Sequence, residues 1–371
     1  MKGKVRKILM PAIAMGMVAC FLVLLIPSPA PAQDKTIRWK IQTPYPIAVP
    51  YVARTAKMFD RIKVMSGGRL DAKFHAPGSI VPAYSEWDAM QKGTLDGAFT
   101  VPADVRGIFG PVGDLFNQYP AGPTAIETVS WMLYGNGGAL LREAMDKVGF
   151  KDVMLIAPAN LSVAEDELWT KKKIDKPTDF KGLKIRTFGY WGQILQGMGA
   201  AVVTIPGGEL YQALERGVID AAEYGTTADN LAIHLEEITK ICYYPGVHSP
   251  GNVHYFLVNK KSWEKLPPDI QMIVKQECLA TAMENYAAGA VESAEARKKM
   301  IAKGVQFIPL SMEVQAFIVK KSEELWNEFT AKDPLYAKTY KDQNAFLDNY
   351  RKLMGEITPD FTKIQEYMKK K

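Results

Sequence analysis

The residues best placed to do chemistry are an arginine and an acid that close strand-like runs. Arg186 ends Leu183-Lys184-Ile185-Arg186 and precedes Thr187-Phe188-Gly189-Tyr190-Trp191, where a helix is expected to begin. A guanidinium grips a carboxylate through two parallel hydrogen bonds and keeps its charge at any relevant pH, so the natural partner is an acid. An arginine at a strand end also suits a surface ion pair. Glu223 ends Ile219-Asp220-Ala221-Ala222, with Tyr224-Gly225 beyond. A carboxylate there can hold an arginine, a ligand hydroxyl or a hard cation, or stand as a helix-start charge beside Thr226-Thr227. His248 and His254, six apart in an aromatic stretch, serve a metal only if other ligands converge on them and otherwise read as packing and hydrogen-bonding residues. Nucleophile elbows, phosphate loops, dinucleotide fingerprints and H-E-x-x-H helices are missing, which removes the common motif-bearing enzymes.

Periodicity supplies the elements that must position these groups. Ile37 to Thr43 alternates like a strand and ends at Pro44-Tyr45-Pro46; Val49 to Met65 has helical spacing and stops at Ser66-Gly67-Gly68; Arg69 to His75 alternates again. A short helix over Tyr84 to Lys92 and a strand over Asp96 to Val101 complete an α/β unit. A second round runs through Val153–Ala157, Leu183–Arg186, a helix over Trp191–Met198, Ala201–Ile205, a helix over Glu209–Arg216 and Asp220–Glu223. The charged stretch from Asp166 to Lys181 reads as a surface loop, and Tyr243 to Phe256 as strand, turn and strand. Pro268 to Lys303 holds no Gly or Pro after its first residue except Gly289 and predicts one long helix or two abutting ones.

The 371 residues are 47% hydrophobic and 23% charged, ordinary for a globular chain with room for two domains. Four of the six net positive charges belong to Lys2, Lys4, Arg6 and Lys7, ahead of an apolar run from Ile8 to Ile26 and of Ala30 and Ala32, which fit a cleavage site before Gln33. This reads as an export signal. The remaining +2 gives no reason to expect nucleic acid. Beyond the signal no apolar run is long enough to cross a bilayer, and Cys242 and Cys278 are too few for a disulfide framework.

Two α/β units joined by crossing segments, behind an export signal, describe a two-lobed periplasmic binding protein fold with a ligand cleft between the lobes and a long connecting helix. The expected division is a signal peptide over 1–32, lobe I over 33–157 plus about 247–310, lobe II over 158–246, and C-terminal helices over 311–371 that pack on the lobes or on a dimer partner. The long helix, 268–303, is expected to cross between lobes. In open α/β sheets ligands settle beyond the carboxyl ends of strands, here after Thr43, after Val101, at Arg186 and at Glu223-Tyr224.

The chain resembles the solute receptors of TRAP transporters, the tripartite ATP-independent periplasmic systems. The resemblance is carried by Val81-Pro82-Ala83 with the block Asp88 to Asp96, by Asp179-Phe180-Lys181-Gly182-Leu183-Lys184-Ile185-Arg186, and by the block Glu209 to Tyr224. Tyr243-Tyr244-Pro245-Gly246-Val247-His248-Ser249-Pro250-Gly251 is similar to the aromatic Pro-Gly segment of the α-keto acid and lactate receptors in that family. The resemblance implies a periplasmic receptor that captures a small organic acid and performs no chemistry. It also implies that Arg186 binds the ligand carboxylate, that Tyr45, Trp191 and Tyr224 wall the pocket, and that a sodium or calcium ion bridges ligand and protein through Glu165, Glu223 and Tyr224. Glu165 and Glu223 near one arginine would repel each other unless a cation or a basic ligand group lay between them. Three departures accompany the match: the segment after Pro158-Ala159 is Asn160 to Trp169, the aromatic cluster after the third strand is replaced by Pro102-Ala103-Asp104, and Ser249 stands where the family has an acid. The implied partners are the organic acid and the TRAP membrane subunits, with the helices from Met312 onward as candidates for a homodimer contact. A receptor for an ATP-driven importer or a sensor, and a periplasmic enzyme using the cleft carboxylates, are the alternatives.

Overall fold

The computed structural model describes residues 36–369, and the expected export signal lies outside them. The chain from Ile37 onward is built on two mixed sheets. The first contains β1 (Ile37–Gln42), β2 (Leu70–His75), β3 (Gly97–Thr100), β4 (Val153–Ser162) and β10 (Asn252–Asn259) in the order β2-β1-β3-β10-β4. Here β1 runs parallel to β2 and β3, while β10 runs antiparallel to β3 and β4. The second contains β5 (Leu168–Thr170), β6 (Lys184–Arg186), β7 (Ala201–Val203), β8 (Ala221–Ala222), β9 (Ile241–Tyr244) and β11 (Gln306–Pro309) in the order β11-β9-β5-β8-β6-β7.

The local signals act as their chemistry predicts. The first helix, α1 (Pro50–Met65), opens on a proline whose missing N–H costs nothing in the first turn. It stops where Gly67 and Gly68 take positive φ and return their N–H groups to Val64 and Lys63. The long helix α2 (Pro268–Ala302), 35 residues and about 52 Å at 1.5 Å per residue, is one helix. Ile270, Val274 and Cys278 at its start join the core of the first sheet, while Met300 near its end joins a core of the second. Arg54 and Arg61 of α1 donate to Asn285 and Glu292 and to Glu277 and Thr281 along it. The helix thereby ties one sheet to the other.

Two boundaries differ from the sequence reading. β4 extends to Ser162, because its partner β10 is buried along its whole length and keeps pairing. β11 joins the second sheet beside β9, although residues to 310 were expected in the first lobe. A third difference is an element: the expected surface loop after Asp166 contains β5, a central strand of the second sheet. Leu168, Trp169 and Thr170 are buried and pair with β9, and Trp169 and Thr170 pair with β8 as well. The charges around them conceal it because Asp166 is itself buried, accepting hydrogen bonds from Trp169, Thr227 and Asn230. Beyond β11, helices Met312–Lys332 and Pro334–Ile357 pack on the body, whereas Phe361–Lys369 buries no residue. Among the described residues no helix is long and apolar enough to cross a membrane.

Truncation of Trp169 tests the place of β5. Trp169→Ala removes a fully buried indole and one donor to Asp166, and we expect a loss of about 3–5 kcal/mol in urea unfolding.

Candidate functional site

All four strand ends singled out by the sequence converge. Arg186 closes β6 and Ala222 closes β8, and the parallel register sets Arg186 opposite Ala222 so that Glu223 emerges beside the guanidinium. From the first sheet, Tyr45 follows β1, and Asp104 follows β3 in the turn Pro102–Val105. Arg186, Tyr45 and Asp104 meet around a cavity of about 40 Å³. At roughly 10–15 Å³ per water on this measure, that is room for a ligand of few heavy atoms.

Arg186 is almost fully buried and held from behind. Its Nε donates to the Ile205 carbonyl at 3.1 Å and its Nη1 to the Glu223 carbonyl at 2.7 Å, with Glu223 Oε1 3.4 Å away. The rings of Phe188 and Tyr224 lie 5.3 and 5.7 Å from the guanidinium carbon. Two nitrogens are thus committed to the protein, which orients the fork before any ligand arrives.

His248 stands at the centre of an acidic cluster. Its Nε2 lies 3.3 Å from Glu165 and 3.6 Å from Glu223, and its Nδ1 lies 3.2 Å from Glu167. Burial alone would favour the neutral ring, yet the Glu167 charge and hydrogen bonds to all three carboxylates hold its pKa well above the ordinary value. This environment favours the protonated ring, in which both nitrogens can donate to carboxylates. Burial pushes Glu165 up, and the neighbouring Glu223 charge adds to this against donors from His248 and Asn252. Burial penalises Glu223 too, but His248, Arg186 and Thr187 hold it below the usual carboxylate range. His254 has the opposite environment, between the rings of Tyr45 and Tyr51, and burial pulls it down to about 3. The neutral ring takes a hydrogen bond from Asn160 on Nδ1, which puts its proton on Nε2.

Arg186, Tyr45, Glu165 and Tyr224 line the cavity; Trp191 and Glu223 line an adjoining recess with His248. Trp191 stacks on the His248 ring rather than walling the cavity. Ser249 lines neither: its hydroxyl donates to Gln118 and its carbonyl receives the Glu165 N–H, so it fixes the crossing segment that carries Glu165. Gly246 in the same segment leaves no room for a side chain, since a Cβ would meet the Glu165 carbonyl oxygen at 2.2 Å. Asp104, Tyr51, Tyr84 and Glu167 were missed as site residues, and His248 and His254 were weighed mainly as packing. The strand-end rule already pointed at Asp104, three residues past Val101.

The three side chains Glu165, Glu223 and His248 bring one ligating atom each within 4.8 Å of one another. A hard cation on this set would have to take the place of the His248 proton. The four oxygens of Glu165 and Glu223 face Asn252, His248 and Arg186, with His248 Nε2 lying between the two carboxylates. The buried Tyr224 hydroxyl has no hydrogen-bond partner among the described residues.

With this geometry in hand, the chain proves to be a solute-binding protein. Residues 47–333 match the model of the bacterial extracellular solute-binding proteins, family 7, and the chain belongs to that family. It is therefore a periplasmic binding protein of the TRAP type, not an enzyme. A monocarboxylate 2-oxoacid-binding periplasmic protein of Nostoc is 31% identical over 84% of each chain. A TRAP solute-binding protein from Colwellia psychrerythraea, solved with calcium and pyruvate, is 29% identical with a TM-score of 0.81, covering 90% of this chain and 100% of its own. One from Pseudoalteromonas atlantica, solved with sodium and pyruvate, is 27% identical with a TM-score of 0.81, covering 90% and 99%.

The buried carboxyls set a pH dependence. Burial raises Asp104 to about 6 and Asp114 and Asp229 to about 7, from an ordinary 3.8. Between about pH 4 and 7 the folded chain therefore holds protons that the unfolded chain has released, and stability falls as pH rises through that window. His248, still protonated above 6.5, extends the loss in the same direction. We expect a melting temperature that falls from about pH 4 toward pH 8, with a shallower slope in Asp114→Asn, measured by calorimetry across that range.

Proposed function

We propose that the protein captures a short carboxylic acid in the periplasm, with Arg186 as the carboxylate anchor, and delivers it to the membrane subunits of a TRAP transporter. The observation that carries this is the buried guanidinium, pinned by two carbonyls at a strand end and opening on a cavity of small-molecule size. The relatives solved with pyruvate support the ligand class. Tyr45, Glu165 and Tyr224 wall the ligand, while Glu223, Trp191 and Ser249 hold the anchor and its surroundings in place. Short acids screened by thermal shift and titration calorimetry test the reading, because selective binding to the native state raises its melting temperature. Arg186→Lys, which keeps the charge and loses the fork, is expected to bind about tenfold to a hundredfold more weakly, and Arg186→Ala to show no shift. Normal binding by both variants would remove Arg186 from the site.

In this reading His248 supplies the positive charge that Glu165 and Glu223 require. A second reading, favoured by the calcium and sodium of the relatives, places such an ion on Glu165, Glu223 and Tyr224 in exchange for that proton. Titration with chelator, sodium or calcium separates them. Unchanged affinity in chelator is expected; a strict calcium or sodium requirement would establish the second.

For the C-terminal helix Phe361–Lys369 the reading extends to a second copy of the chain. Phe361, Ile364 and Met368 share one face and are 68%, 46% and 68% exposed, continuing from exposed Leu353 and Ile357. Light scattering is expected to give a dimer that becomes a monomer when the chain ends at residue 358.

A further inference from the structure

Asp104 faces the ligand cavity with half of its carboxylate uncommitted. Its Oδ2 is saturated: it accepts from the Tyr45 hydroxyl, from the Thr100 hydroxyl at 2.7 Å and from the Val101 N–H at 3.2 Å. Its Oδ1 has no hydrogen-bond partner among the described residues and is not enclosed by protein, and Asp104 lines both the ligand cavity and a neighbouring pocket with Tyr84, Arg106 and Thr204. On the second sheet, Arg186 and Tyr224 line the same cavity, and the Tyr224 hydroxyl has no partner among the described residues. The cavity thus has the donor-bearing side chains Arg186 and Tyr224 on one wall and, on the other, a carboxylate with one oxygen uncommitted.

Building on the carboxylate-receptor reading, we infer that Asp104 is a specificity-determining residue and that the ligand is a short carboxylic acid bearing a hydrogen-bond donor, a hydroxyl or an ammonium group, rather than a plain 2-oxo acid. A keto oxygen turned toward Asp104 would set lone pairs against an anion and leave Oδ1 unsatisfied, whereas a hydroxyl or ammonium donates to it. The carboxylate would be held by the second sheet and the donor by the first, so a ligand with both groups engages both walls.

The test uses three acids on one three-carbon skeleton: pyruvate, lactate and alanine. For the wild-type protein, calorimetry is expected to show lactate or alanine binding at least about tenfold tighter than pyruvate, the size of one unsatisfied buried acceptor. Comparing lactate with alanine tells hydroxyl from ammonium. Asp104→Asn is nearly isosteric. Its amide oxygen can keep the three donors now on Oδ2, which turns its NH₂ toward the cavity, so preference should shift toward pyruvate by tenfold or more. A melting curve for the variant and its retained binding of one acid establish that it is folded. Equal affinity of the wild-type protein for all three acids, or a preference for pyruvate, overturns the inference and leaves the carboxylate reading standing. A preference that Asp104→Asn leaves unchanged removes Asp104 as its cause and overturns it as well. Binding of none of these acids nor of any other carboxylate, with Arg186→Ala without effect, removes both.

Discussion

Three buried carboxylates and one imidazole share one small volume, and the chain can fold around them only if their charges balance. Glu165, Glu167 and Glu223 all turn to His248, while Arg186 sits against Glu223. Removing an ion pair of this kind from water costs several kcal/mol per charge unless partners and hydrogen bonds are complete. The contacts that complete them come from both sheets and from both crossing segments: Asn252 begins β10, Glu165 follows β4, and His248 follows β9. The cluster therefore does structural and functional work together. It fixes where the two sheets meet, and it fixes the side of Glu223 left to face Arg186.

The two histidines show how one residue type divides by environment. His248 lies among acids and keeps a proton; His254 lies among aromatic rings and loses one. Six residues separate them, and both neighbourhoods are assembled from elements distant in sequence. Glu165 and Glu167 come from the segment after β4, Tyr45 and Tyr51 from the segment after β1. Spacing alone could not predict this, because spacing carries no information about which strand lies next to which.

Much of the architecture was legible for the opposite reason. The strands after residues 36, 69, 96 and 152, helix α1 with its Gly-Gly stop and the long helix α2 follow from local periodicity and capping. The strand-end rule located Arg186, Glu223 and Tyr45 through backbone direction alone. The strand β5 was hidden because Asp166 and Glu167 look like surface charges until their partners Thr227, Asn230 and His248 are known. Asp104 was read as the loss of an aromatic cluster, and its role emerges only when Tyr45 and Thr100 are seen to occupy one of its two oxygens.

A receptor that closes on its ligand needs the ligand to supply something that the two walls cannot give each other. Here the second sheet presents a guanidinium already fixed by carbonyls, and the first presents a carboxylate already half satisfied by its own turn. Neither wall must reorganise, so little binding energy is lost to ordering side chains. What remains open on each side is one short-range requirement, an acceptor for Arg186 and a donor for Asp104. A molecule meeting only the first is held by one sheet and gives no reason for the other to stay closed. A molecule meeting both stabilises the closed arrangement by its differential contacts, which is the only way a ligand can shift such an equilibrium.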